Sequence, residues 1–217
     1  LADDKLFDLR WQRSERDLLS SFRKLYGESP EIEARLKALL EQHWKNRPAA
    51  LKALDLARDI TPDWFLSENM VGYVFYVDRF AGNLKGVLDH LDYLESLGVT
   101  YVHFMPCLKP RPAPNDGGYS VMDYGAIDPK LGTMADFEAV TSALRARGMS
   151  VCIDLVLNHT AKEHAWAEKA KKGDKKYQDF YWMFDTNEVP LEYEKTLVEI
   201  FHNDAPDSFT HYPEFKK

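Results

Sequence analysis

Up to Pro62 the apolar positions recur every three or four residues, the period of a helix that buries one face. Leu18, Leu19, Phe22, Leu25 and Tyr26 form one such stripe, and Gly27 ends it. Ser29-Pro30 opens a second helix, because Pro at the first helical position gives up only an N–H that has no partner there. Ile32, Leu36, Leu39, Leu40 and His43 carry its stripe; Pro48 then starts a third helix through Leu51 and Leu54, which Pro62 breaks. These residues are expected to pack helix against helix. From Val71 the period changes. VGYVFYV (71–77), VTYVHFM (99–105) and MSVCIDLVL (149–157) are short, nearly continuous apolar runs, and LKGVLDHLDYLESLG (84–98) and MADFEAVTSALRARG (134–148) between them keep the helical period. Strand, helix, strand, helix, strand, with both faces of each strand apolar, predicts parallel β/α units. The spacing fits a Rossmann-like sheet or a (β/α)8 barrel. DRFAGNLKG follows the first strand where a dinucleotide site needs GxGxxG, which weakens the first option. After Asn158 the chain turns irregular, mixing charged and aromatic residues. A closed barrel takes about 250 residues, so these units are expected to be part of a barrel or of an assembly.

Composition narrows the function classes. Apolar residues make up 45 % and aromatics 13 %, enough for a packed core rather than a disordered tail. The net charge of −7 is spread along the chain, which argues against nucleic acid or an anionic membrane surface as partner. The lysines Lys169, Lys171, Lys172, Lys175 and Lys176 alternate with acids and read as a solvated helix face. The opening LADDKLFDLRWQRSERD is charged throughout and the apolar runs are strand length, so no membrane span is expected. Cys107 and Cys152 fall at opposite ends of neighbouring strands, too far apart to bridge, and two reduced thiols in a cytoplasmic protein is the expectation.

Candidate chemistry sits at the ends of the second and third strands. The connection PCLKPRPAPNDGGYSVMDYGAIDPKLGT (106–133) is far longer than the usual few residues, and long connections in compact domains are commonly functional. In it, Asp116 and Tyr119 flank Gly117-Gly118, which lets the backbone turn and present a carboxylate beside a phenol ring. Such a ring can face a pyranose while the carboxylate takes its hydroxyls. The third strand ends in Asp154-Leu-Val-Leu-Asn158-His159-Thr160. His159 there could hydrogen-bond a sugar hydroxyl, a contact that strengthens as the ring gains oxocarbenium character. Asp154 reads as a network residue within the strand. The Asn158 amide would suit calcium, but no acidic cluster accompanies it, and no metal or other cofactor is expected.

These motifs together resemble the α-amylase superfamily. DLVLNHTAKEHAW (154–166) is similar to its first signature region, with GNLKG, DGGYSVMDY and LGTMADF ahead of it in the same order. The helical leader, ENMVGYVFYVDRFAGNLKGV and HAWAEKAKKGDKKYQDFYWMF narrow the resemblance to amylosucrases and their sucrose-hydrolase relatives. It implies an α/β fold: an N-terminal helical domain over 1–66, the first three β/α units of a (β/α)8 TIM barrel over 67–157, and the start of an inserted domain B over 158–217. It also implies a retaining enzyme that releases fructose from sucrose and passes glucose to an α-1,4-glucan. In that reading Asp116, Tyr119 and His159 line the glucosyl subsite, with Asn158 and Asp154 in support. Tyr119 would stack on the ring, and Asp116 would pair with an Arg further along the chain. Gly125 departs from the family, which usually has Arg there, and is expected to loosen the end of the loop. No acid in the chain matches the family's nucleophile or acid/base, which are expected beyond Lys217. Asp78, at the end of the first strand, is a poor substitute. The rival readings are a sucrose hydrolase, another α-glucosidase or a trehalose synthase, or a non-catalytic sugar-binding fragment.

Overall fold

A computed structural model describes residues 3–198, 208–213 and 217. Of the irregular stretch 201–215, only residues 208–213 are therefore described. By internal contact the chain divides into two units, Leu1–Ser67 and Glu68–Lys217.

The first unit is helical. α1 (Asp3–Tyr26), α2 (Pro30–Asn46) and α3 (Ala49–Ile60) lie where the periodicity and the Gly and Pro breaks place them, followed by a 3-10 turn at Trp64–Leu66. Ser29 supplies no side-chain cap, so Pro30 and the acidic first turn, Glu31 and Glu33, carry the start of α2. The buried core differs from the expected stripes. Phe7, Trp11 and Trp44 are buried, with Leu6 and Leu19 packed against them, whereas Leu18, Leu25, Tyr26, Ile32, Leu39 and Leu40 are exposed. The large indole rings gather the contacts where early α1 meets late α2, leaving the stripes of late α1 and mid α2 uncovered. α3 buries no residue at all.

The second unit is built on a parallel sheet in the order β1 (Gly72–Phe75), β2 (Tyr101–Phe104), β5 (Ser150–Ile153). The strands are in register, with Phe75 level with Phe104 and Phe104 with Ile153. Each strand is shorter than its apolar run. The first gives way after Phe75 to α4 (Val77–Ala81), and the last leaves the sheet at Asp154. The expected helix over 84–98 is two, α5 (Leu84–Leu88) and α6 (Leu91–Ser96), while α7 (Met134–Ala146) starts on a capping box between Thr133 and Asp136. Leu84, Val87, Leu94, Val140 and Leu144 from these helices close on Val102 and Phe104, each essentially inaccessible to solvent.

One feature was not expected. The long connection holds an antiparallel hairpin, β3 (Leu108–Pro110) with β4 (Val121–Ile127). The segment after Asn158, where the lysine run reads as a solvated helix face, forms α8 (Ala165–Lys171), α9 (Lys175–Gln178) and α10 (Glu188–Glu194), with Lys169, Lys175 and Lys176 exposed on the first two. Gly125 lies inside β4, where the pairing with β3 shifts register, and its N–H donates to Asp123 Oδ1 at 2.9 Å. The departure at that position thus falls in an ordered strand rather than at a loosened loop end.

Candidate active site

Because the three parallel strands end level with one another, the residues that follow them emerge along a single edge: Tyr76 after β1, Met105 and Pro106 after β2, Asp154 after β5. The carboxyl ends of parallel strands are where β/α enzymes assemble their sites. Asp154 lies just past β5 rather than within it, and its Oδ1 is 3.3 Å from Nε2 of His103 on the neighbouring strand. Its other oxygen, Oδ2, is buried with no hydrogen-bond partner among the described residues.

The loop joining β3 to β4 brings Asp116 and Tyr119 to this edge. Gly117 and Gly118 have φ of +80° and +98°, the left-handed region that other residues avoid. A Cβ on Gly118 would meet the Cβ of Pro106 at 2.9 Å, and one on Gly117 would meet the Tyr76 hydroxyl at 3.3 Å. The two glycines therefore permit both the turn and its seating against the strand ends. Asp116 accepts hydrogen bonds from Ser120 N at 2.9 Å and Ser120 Oγ at 2.8 Å. Burial pushes the Asp116 pKa up, but the Ser120 bonds and the nearby His159 outweigh it, and the carboxyl sits below its ordinary value. It is a carboxylate at neutral pH. The Tyr119 phenol is shifted the other way, first by burial and then by the negative charge of Asp154, with Tyr76 and Asp116 adding to it. It stays protonated and can donate as well as stack.

The segment after β5 is tied to the hairpin. Tyr124 on β4 donates from its hydroxyl to Val156 O at 2.6 Å and His159 O at 3.0 Å, and Ala161 N donates to Val121 O at 2.9 Å. His164 is buried, which lowers its pKa despite the opposing charge of Asp123. Held neutral, it can accept at Nδ1 from Trp166 N and so cap α8. His159 and Asn158 are exposed, with 3.2 Å between Asn158 Nδ2 and His159 Nδ1. Cys107, by contrast, is shut away: burial and then the Asp154 charge push its thiol up to about 11, an unreactive state. Both cysteines are free.

Asp116 thus lies within electrostatic range of Tyr119 and His159, and Tyr119 of Asp154, with Asn158 beside His159. Asp78 lies in α4, exposed, with its carboxylate accepting from Arg79 N. Tyr76 and His103 are the residues that sequence reasoning missed. The available signal was position alone, since each sits at or near the carboxyl end of a strand inside an otherwise apolar run. Among the described residues no group of three His, Cys, Asp or Glu side chains could hold a metal ion, and no helix is long and apolar enough to cross a membrane.

A parallel β/α sheet whose strands end level with one another defines a class, and sequence comparison gives that class a family. The chain belongs to the α-amylase family: residues 33–211 match its catalytic domain. Its α/β units are accordingly those of the family's (β/α)8 barrel. Among curated relatives, the trehalose-6-phosphate hydrolase of Escherichia coli is 37 % identical over 138 residues, 59 % of this chain and 24 % of that protein. An oligo-1,6-glucosidase of Halalkalibacterium halodurans is 43 % identical over 102 residues, 46 % of this chain and 18 % of that protein. Among solved structures, a MutB mutant in complex with glucose superposes with a TM-score of 0.52 at 30 % identity, covering 58 % of this chain and 23 % of its own. The chain spans less than a quarter of the length of each of these three.

Proposed function

We propose that the protein to which this chain belongs is a retaining enzyme that takes the glucosyl unit of sucrose, releases fructose and passes glucose to the end of an α-1,4-glucan. The observation that carries the reading is the convergence of Asp116, Tyr119 and His159 at one edge of the sheet. Their chemistry suits a glucosyl unit. Tyr119 offers a ring face, His159 an imidazole for a hydroxyl, and Asp116 a carboxylate fixed by Ser120. The glucose complex of the MutB relative supports a glucosyl occupant. In this scheme the nucleophile and acid/base are two carboxyls about 5 Å apart that later parts of the protein supply. The glycosidic bond of sucrose provides the driving force, so no nucleotide sugar or metal is invoked. The segment from Asn158 onward is the beginning of domain B and shapes the acceptor side.

A second reading keeps the pocket and changes the outcome. The named relatives are a trehalose-6-phosphate hydrolase and an oligo-1,6-glucosidase, with trehalose synthases also among them, and these favour a glucosidase or a trehalose synthase. The sucrose reading draws instead on the helical leader and the motifs of residues 68–87 and 164–184. Product analysis of the full-length protein separates the two. Fructose in excess over free glucose, with a growing glucan, supports transfer from sucrose. Equal glucose and fructose point to hydrolysis. Inertness on sucrose with turnover of trehalose or an α-1,6-glucoside establishes the second reading, and inertness on all of them sinks both.

A further inference from the structure

The loop that carries Asp116 and Tyr119 has a narrow neck. Its first residue, Arg111, donates its backbone N–H to the carbonyl of its last, Ser120, at 2.9 Å. The Arg111 side chain then leaves the loop altogether. Its Nη2 donates to Glu163 Oε1 at 3.0 Å, across 52 positions of sequence. Glu163 sits between Ala161, whose N–H is bonded to Val121, and the buried His164 that caps α8. The ion pair therefore joins the neck of one site loop to the segment that carries the other site residue, His159.

The pair is not an ordinary surface contact. Its side chains are 31 % and 29 % exposed, and Arg111 Nε and Glu163 Oε2 are buried without a hydrogen-bond partner among the described residues. Partly desolvated charges with unmet bonding capacity are a poor way to gain stability, since apolar residues of similar volume commonly do as well or better. What a single directed N–H···O bond between two charges gives is a fixed separation. Among the described residues, Tyr124 and Ala161 already hold the segment to β4, and the Arg111–Glu163 bond is the one that reaches from it to the Pro110 side of the loop neck.

We propose that Arg111 and Glu163 are positioning residues whose ion pair sets the separation of Asp116 and Tyr119 from His159, and with it the fit of the pocket to a glucosyl ring. Neither residue contacts the ring in this scheme. The inference rests on the glucosyl pocket proposed above and adds the device that holds its width.

The test uses the full-length protein with p-nitrophenyl α-glucoside, which reports glucosyl cleavage whatever the natural leaving group, and glucose as a competing occupant. Glu163→Gln, nearly isosteric, is expected to raise KM and the glucose inhibition constant about tenfold, because small misplacements of binding groups are costly. Arg111→Lys, which keeps one charged donor, should stay within about threefold of wild type, and the exchange Arg111→Glu with Glu163→Arg should recover most of the loss. A purely structural pair gives another pattern: the melting temperature falls while KM and the inhibition constant of the folded enzyme stay put, and that result overturns the proposal. Should Glu163→Gln fail to fold, failure of the exchanged pair to bind glucose better than Arg111→Glu alone would overturn it equally. If the wild-type protein neither cleaves the probe nor binds glucose, the pocket reading falls and this inference falls with it.

Discussion

The two units of the chain are held by different physics. In the helical unit, α3 has no fully buried residue, only half-buried Leu51, Leu54 and Leu56, and it carries a set of ion pairs. Asp55 takes a bidentate contact from Arg47 at 2.5 and 2.8 Å, and Asp59 receives Arg10 at 3.1 Å and Arg13 at 2.8 Å. Arg10 and Lys52 also lie over the Trp44 ring, 4.9 and 5.3 Å from its centroid. In the β/α unit the work is done by apolar area, with strands and helices closing on side chains that water does not reach. The difference bears on function. A packed sheet has few alternative arrangements within a fraction of an ångström, so its strand ends can hold a constellation of side chains in place. A helix with no fully buried side chain and partly exposed ion pairs has less to fix it, and all the site residues identified belong to the sheet unit.

The largest effect that would break this contrast is at Phe104. Its side chain is fully buried, 5.3 Å from the Phe75 ring and 6.2 Å from that of Phe137. Phe104→Ala removes both contacts and leaves a cavity, so the stability of the β/α unit should fall by about 3–5 kcal/mol in urea unfolding followed by circular dichroism. A loss below about 1 kcal/mol would mean that the core is not what holds this unit.

Substitution at the site should invert that pattern. In the full-length protein, Tyr119→Ala and His159→Ala are each expected to lower kcat/KM on sucrose by about 10²-fold or more, some 2.7 kcal/mol of transition-state stabilisation. Stability should hardly change for His159→Ala, because His159 is exposed. Wild-type kinetics in either variant would remove that residue from the pocket. A melt lowered as far as that of Phe104→Ala would show that the loops are structural members of the core rather than cargo upon it.

What the sequence made legible follows the same division. The helices of the first unit were readable because Gly27, Pro30, Pro48 and Pro62 punctuate a clear period, yet their core was not. Periodicity shows which face is apolar but not which neighbour covers it, and so Leu25 and Tyr26 turn out exposed while Phe7 and Trp11 are buried. β1, β2 and β5 were found in order but drawn too long, since hydrophobicity runs on past the hydrogen-bonded register: Leu155 and Leu157 are apolar and exposed. The β3–β4 hairpin was hidden by Pro110 within β3, by Pro112 and Pro114 in its loop, and by a pairing that slips twice. Asp116 and Tyr119 were legible because Gly117-Gly118 between them has a strong conformational meaning. Tyr76 and His103 were not, because a polar group within an apolar strand gains its meaning only when the neighbouring strands are aligned beside it.

The smallest effect sharpens the comparison most. Asp55→Asn keeps the shape of the side chain and removes the charge that Arg47 and Arg10 share. Asp55 is only 17 % exposed while Arg47 is 37 % exposed, so the pair stands between a surface bridge and a buried one, and a loss of about 1 kcal/mol at low salt is expected. The salt dependence matters more than the size. Raising ionic strength from about 0.1 to 1 M shortens the screening length from about 10 to 3 Å. The longer Arg10 contact at 3.6 Å should weaken first, and the wild-type advantage over Asp55→Asn should shrink as salt rises. Phe104→Ala has no charge to screen and should cost at least as much in high salt as in low. If both losses respond to salt alike, charge is not what distinguishes the helical unit, and the contrast between the two units would come down to size alone.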